Sequence, residues 1–175
     1  MAPDTSYWIQ TTSTDVSGNV GTSKAVQVTT PAAGVAEQQT ASFRRGKVTG
    51  AAVVDPAGSG AVTLSGKQTA KRQGTFTSGL LDAQAMVDWD RVVTRTVESK
   101  GSAVELRVRT GSTASPDSSW SSWKTVSGKG RVKGSSRFLQ YEVALTSQAG
   151  VAAPELRAFG VTANGGQVTH PGETR

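Results

Sequence analysis

An all-β fold, an antiparallel β-sandwich, is what the sequence predicts. Three observations lead there. Short runs of alternating apolar and polar residues recur along the chain. Clusters of Gly, Ser, Pro and Asp separate them, and no long stretch repeats apolar residues at the helical period. Gly supplies 20 of the 175 residues, which suits many short strands joined by turns.

The alternation is clearest in two places. In 103–110, Val104, Leu106 and Val108 alternate with Glu105, Arg107 and Arg109. In 137–146, Leu139, Tyr141, Val143 and Leu145 alternate with Phe138, Gln140, Glu142 and Ala144. A period of two gives each strand one buried and one wet face. Further strands are expected at 40–46, 50–54, 61–65, 74–81, 89–98, 120–126 and 155–163. Turn chemistry divides them at Asp55-Pro56-Ala57-Gly58, Pro116-Asp117-Ser118, Ser127-Gly128-Lys129-Gly130 and Gln148-Ala149-Gly150. Only 82–88 invites a helix, and it is too short to stand alone. So many antiparallel strands point to a sandwich of jelly-roll type.

The start of the chain reads differently. Residues 6–11 form a strand, a polar turn follows at 14–19, and Lys24–Thr30 alternates again, which together make a hairpin. An isolated hairpin is marginal in water and needs a partner sheet. Residues 32–39 have linker composition, the main domain is expected over 40–165, and 166–175 reads as a tail.

The segment Tyr7-Trp8-Ile9-Gln10-Thr11-Thr12-Ser13-Thr14-Asp15-Val16-Ser17-Gly18-Asn19, closing at Val28-Thr29-Thr30-Pro31, resembles the last two strands of a bacterial fibronectin type III domain. Residues 1–31 are then a C-terminal fragment of that fold. A second resemblance spans about 90 residues. It is carried by Gly74–Ala83, Val87-Asp88-Trp89, Leu106–Gly111, Pro116–Trp123 and Ser136–Tyr141. These are similar to a galactose-binding-type jelly-roll module of large secreted bacterial proteins, often found beside fibronectin type III domains. Glu142 departs from that pattern, which more often has Arg after Gln-Tyr. The resemblance implies an extracellular location and neighbouring domains in a multidomain parent.

Composition bounds the chemistry. There is no Cys, which excludes disulfides, thiolate metal sites and Cys nucleophiles. No apolar stretch is long enough for a membrane-spanning helix. Met1 leads into Ala2-Pro3-Asp4-Thr5 with no basic start or apolar run, so no signal peptide is visible and Met1 reads as an added start or an internal cut. The net charge of +6 is uneven. Residues 1–38 hold one Lys against three acids, and 39–175 hold 18 Lys and Arg against 10 acids. The basic part favours anionic partners such as acidic glycans or cell-wall polymers, and it also serves solubility. Basic clusters at 43–47, 67–72 and 124–133 sit mainly in loops and lack the pattern of aromatic residues interleaved with the charge on one sheet face, which disfavours nucleic acid.

No catalytic constellation is visible. The single His, His170, lies in the tail, away from any cleft a triad would need. Nucleophile-elbow and phosphate-loop motifs are missing. Asp88 and Asp90 flank Trp89 and share a strand face, closer together than a glycosidase pair. The chain is therefore expected to be no enzyme and to need no cofactor. Asp82, Asp88, Asp90, Asp117 and Glu142 are hard oxygen donors, so a structural calcium is one reading and solvated loop acids the other.

Aromatic residues suit sugar recognition, because the C–H face of a pyranose stacks on an indole while polar side chains bind the hydroxyls. Trp120 and Trp123 are three apart and would face opposite ways on a regular strand, one to the core and one to solvent. Tyr141 shares the parity of Leu139 and Val143 and is expected in the core. Trp89 opens a strand and could lid the sandwich; the alternative is that all four rings are core. Candidate ligand-binding residues are Trp89 or Trp123 as the platform, with Arg107, Arg109, Gln140 and Glu142 as polar contacts. If the last four lie on neighbouring strands, they form cross-strand pairs instead. The expectation is a noncatalytic module that targets a polysaccharide or cell-surface glycan, with a structural spacer or protein-interaction domain as the alternative.

Overall fold

A computed structural model describes residues 6–29, 33–37, 39–56, 59–127 and 129–164. His170 and the expected tail lie outside the described residues. The architecture is an antiparallel β-sandwich, as predicted, preceded by a separate ribbon.

The ribbon contains β1 (Ser6–Ile9), β2 (Thr12–Thr14), β3 (Val20–Thr22) and β4 (Val26–Thr29). β1 pairs β4 and β2 pairs β3, so the four form one long hairpin. Asp15 builds its turn: Oδ1 accepts from the backbone N–H groups of Ser17 and Asn19, and Oδ2 accepts from the Asn19 side chain. Gly18 completes the turn at φ 86°.

The sandwich begins earlier than its composition suggests. Residues 33–37, expected as linker, form β5 (Ala33–Glu37), which pairs with the last strand. Residues 40–46, expected as a strand, start instead with a single helical turn, α1 (Thr40–Phe43). The turn delivers Phe43 edge-on to Phe76, with centroids 5.9 Å apart. Gly46 permits this approach, since a Cβ there would lie 2.4 Å from the Phe76 ring.

The remaining strands are β6 (Lys47–Thr49), β7 (Ala51–Val54), β8 (Ala61–Leu64), β9 (Arg72–Thr77), β10 (Leu81–Val97), β11 (Ser102–Gly111), β12 (Lys124–Thr125), β13 (Ser135–Ser147) and β14 (Glu155–Asn164). One layer runs β6–β9–β13–β11–β12. In the other, β10 pairs one edge of β14, β5 and β8 pair its other edge, and β7 follows β8. The layers join where the first residues of β13 pair with the first residues of β10. The helix-tempting stretch 82–88 is part of β10, with an irregularity between Asp82 and Val87 where Gln84 takes φ 60°. The expected strand at 120–126 is regular only at Lys124–Thr125.

The core lies between the layers. Tyr141 of β13 stacks on Phe159 of β14, with centroids 3.7 Å apart and planes 10° from parallel. Leu139, Val143 and Leu145 share the inward parity of Tyr141 and are fully buried. Leu106 and Val108 of β11 are buried beside them.

Candidate functional site

The outer face of the β9–β13–β11 layer gathers most of the candidate residues. β11 and β13 are neighbours, and Arg107 stands opposite Glu142 while Arg109 stands opposite Gln140. Both pairs close. The Arg107 guanidinium donates to Glu142, whose other oxygen accepts from Thr77 on β9 at 3.3 Å. Arg109 donates from Nε and Nη2 to Gln140 Oε1 at 3.0 and 2.6 Å. Gln140 in turn donates to the Ser78 carbonyl at 2.7 Å. The buried Ser78 hydroxyl accepts from the Tyr141 backbone N–H, which ties this polar row to the core strand beneath.

Two indoles border the row. The Arg109 guanidinium carbon lies 4.5 Å from the Trp123 ring centre and 5.3 Å from that of Trp120. Trp120 and Trp123 therefore attend the same guanidinium, with Trp120 buried and Trp123 more open, although 120–123 is not a regular strand. Trp120 is buried, and its Nε1 donates to the Thr113 hydroxyl at 3.0 Å. It lies flat on Gly111, where an added Cβ would sit 2.3 Å from the indole. Trp123 is half-buried. A guanidinium over an indole gains electrostatic attraction from the ring quadrupole and holds the ring in place.

Trp89 is placed elsewhere. It is 3% exposed and donates from Nε1 to Ser136 Oγ at 2.8 Å inside the core. It presents no ring face to solvent, since its strand position, opposite Ala163 on β14, turns it inward. Of the six candidates, five come together on one face and Trp89 does not.

Thr77, Ser78, Gly111 and the clamping role of Trp120 escaped the sequence reading. Only Gly111 carried a signal, as a glycine at an outward strand position, which marks close approach of a bulky neighbour.

The acids considered for calcium each have a protein partner. Asp82 accepts two bonds from Arg137, at 2.8 and 2.9 Å. This guanidinium holds the Asp82 carboxyl below the usual carboxylate range, against the opposing effect of burial. Asp88 accepts from Ser135, Asp90 pairs Arg131 at 3.2 Å, and Asp117 caps Ser119. Among the described residues, no three His, Cys, Asp or Glu side chains gather as a metal site would require, and no helix is long and apolar enough to cross a membrane.

Two openings lie along the free edge of the sandwich. One, of about 360 Å³, separates the ends of β10 and β11 and is lined by Thr94, Thr96, Glu98 and Glu105 among others. The other, of about 170 Å³, lies between β11, β12 and residues 131–133.

No protein family and no curated protein matches the chain. A solved structure from work on the promiscuous specificity of carbohydrate-binding modules of the β-sandwich superfamily is similar over 95% of this chain and 74% of that one, at 12% identity and a TM-score of 0.31. At that distance no residue correspondence carries over.

Proposed function

We propose that the sandwich is a noncatalytic module of a secreted, multidomain protein, and that it holds its parent on a polysaccharide or cell-surface glycan. The observation that carries this reading is Trp123. This half-buried residue has its ring held by Arg109 at the border of the Arg107–Glu142 and Arg109–Gln140 pairs. A sugar ring can stack on the indole while its hydroxyls meet a rigid row of donors and acceptors. The row is preorganised by the cross-strand register, so binding orders few side chains.

A second reading, a spacer or protein-interaction domain, is favoured by one fact. Every charged head in the row already has a protein partner.

A pull-down of the full chain on insoluble and immobilised polysaccharides, at low and high salt, separates the two. Salt-resistant retention on one sugar class, weakened about ten-fold by Trp123→Ala, supports the glycan module. Retention that Trp123→Ala leaves untouched moves the site elsewhere. No retention at any salt leaves the spacer.

A further inference from the structure

The smaller opening shares Arg109 with the polar row, where that guanidinium is bonded to Gln140, and its remaining lining has a different chemistry. Its floor is apolar, formed by Val108, Val126 and Val132, and its wall carries Thr110 and Ser121. Lys124, Arg131 and Lys133 line it too. Lys124 stands opposite Val108 in the β11–β12 register, so it shares the inward face of a buried core residue. Thr110 stands opposite the buried Leu139 and also breaks the inward apolar pattern. Two polar residues at inward positions mark a place where the sandwich edge is built open and wet.

The charges there are unbalanced. Asp90 neutralises Arg131. Lys124 and Lys133 make no ion pair or side-chain hydrogen bond among the described residues. Like charges converging on a small opening raise the local concentration of a counter-ion. Trp123 and Lys124 are consecutive in the chain. Trp123 attends the outward Arg109 while Lys124 shares the inward side of the same edge, so a polymer that wraps over the edge can lay one unit on the indole and a later one at the lysines.

Resting on the reading of a glycan module, we infer that this opening is an anion subsite, and that the preferred ligand is an acidic polysaccharide whose repeat carries a carboxylate or a phosphate. The two lysines supply the charge, the Thr110 hydroxyl supplies a neutral donor, and the valine floor receives the carbon skeleton of the unit.

The test uses the full chain and three probes: polygalacturonate, its fully methyl-esterified form and a poly(glucosyl phosphate), a polysaccharide joined by phosphodiesters. Affinities are measured for the parent, for Lys124→Gln/Lys133→Gln and for Lys67→Gln/Lys71→Gln. The last removes the same charge at exposed positions away from the opening. The expected result is a preference of about ten-fold for an acidic polymer over the esterified one. Lys124→Gln/Lys133→Gln abolishes that preference, and Lys67→Gln/Lys71→Gln keeps it. Whichever acidic polymer shows this dependence identifies the anion. Equal loss in both double variants reduces the effect to a diffuse field and overturns the subsite. Binding of the esterified polymer with no gain for either acidic one overturns the subsite and leaves the glycan module standing. No binding of any probe, with none on the wider polysaccharide panel, removes both. Thermal unfolding of each variant confirms that the fold survives.

Discussion

The ribbon and the sandwich are written in the same alternating pattern, yet they end in opposite states. In the ribbon, Ile9, Val26 and Val28 are 41%, 60% and 42% exposed, and Trp8 is 70% exposed. In the sandwich, Tyr141, Val143 and Leu145 are wholly buried. Alternation only sorts residues between two faces; a second layer is what removes one face from water. β13 has β14 across the interior. Among the described residues, the ribbon's strands pair with one another and with no strand of the sandwich.

The difference can be broken from the sandwich side first. Tyr141→Ala removes the ring stacked on Phe159 and should cost about 3–5 kcal/mol, the range for large core truncations. Chemical denaturation of the full chain checks it. Ile9→Ala, at the corresponding parity in the ribbon, should shift the same transition by less than about 0.5 kcal/mol. A large effect at Ile9 would mean that the ribbon is covered in solution.

An intermediate effect comes from the layer junction. Asp82→Asn breaks the paired bonds to Arg137 and should cost about 1.5–3 kcal/mol at neutral pH. The Asp82 carboxyl is held below its ordinary pKa. Its contribution is therefore complete above the unfolded value, near 3.8, and is lost as pH falls through the lower folded value. The variant should lose this acid limb, so parent and variant converge in strong acid. Curves that stay parallel down to pH 2 would refute it.

Gly111→Val should cost about 1–3 kcal/mol, because the new side chain must displace Trp120. It should also release Arg109 and broaden the Trp123 indole signal. The smallest effect is kinetic. Backbone amides of β1–β4 should exchange with deuterium faster than those of β13, whose pairing is covered on both edges.

Much of this contrast was legible beforehand. The parity of Leu139, Tyr141, Val143 and Leu145 predicted their burial, and the opposite parity of Arg107, Arg109, Gln140 and Glu142 predicted their wet face and, on the condition that β11 and β13 are neighbours, their pairing. Period-two alternation is local and survives folding unchanged. What failed depended on contacts between distant segments. Residues 33–37 look like linker by composition but find an open edge on β14. Residues 40–43 turn into a helical corner that seats Phe43 on Phe76. Trp120 and Trp123 left strand geometry, so spacing could not tell that one guanidinium holds both. A strand opening at Trp89 makes it a lid, whereas β10 begins at Leu81 and carries it inward.

The central claim is that Trp123 is the platform on which a sugar stacks. The most direct test follows the four indole N–H signals of the labelled full chain by NMR while a glycan selected by the pull-down is titrated in. The Trp123 signal should move most and that of Trp120 less. The buried Trp89 and the ribbon's Trp8 should stay in place. Movement of Trp8 alone, or binding with all four signals still, would contradict it.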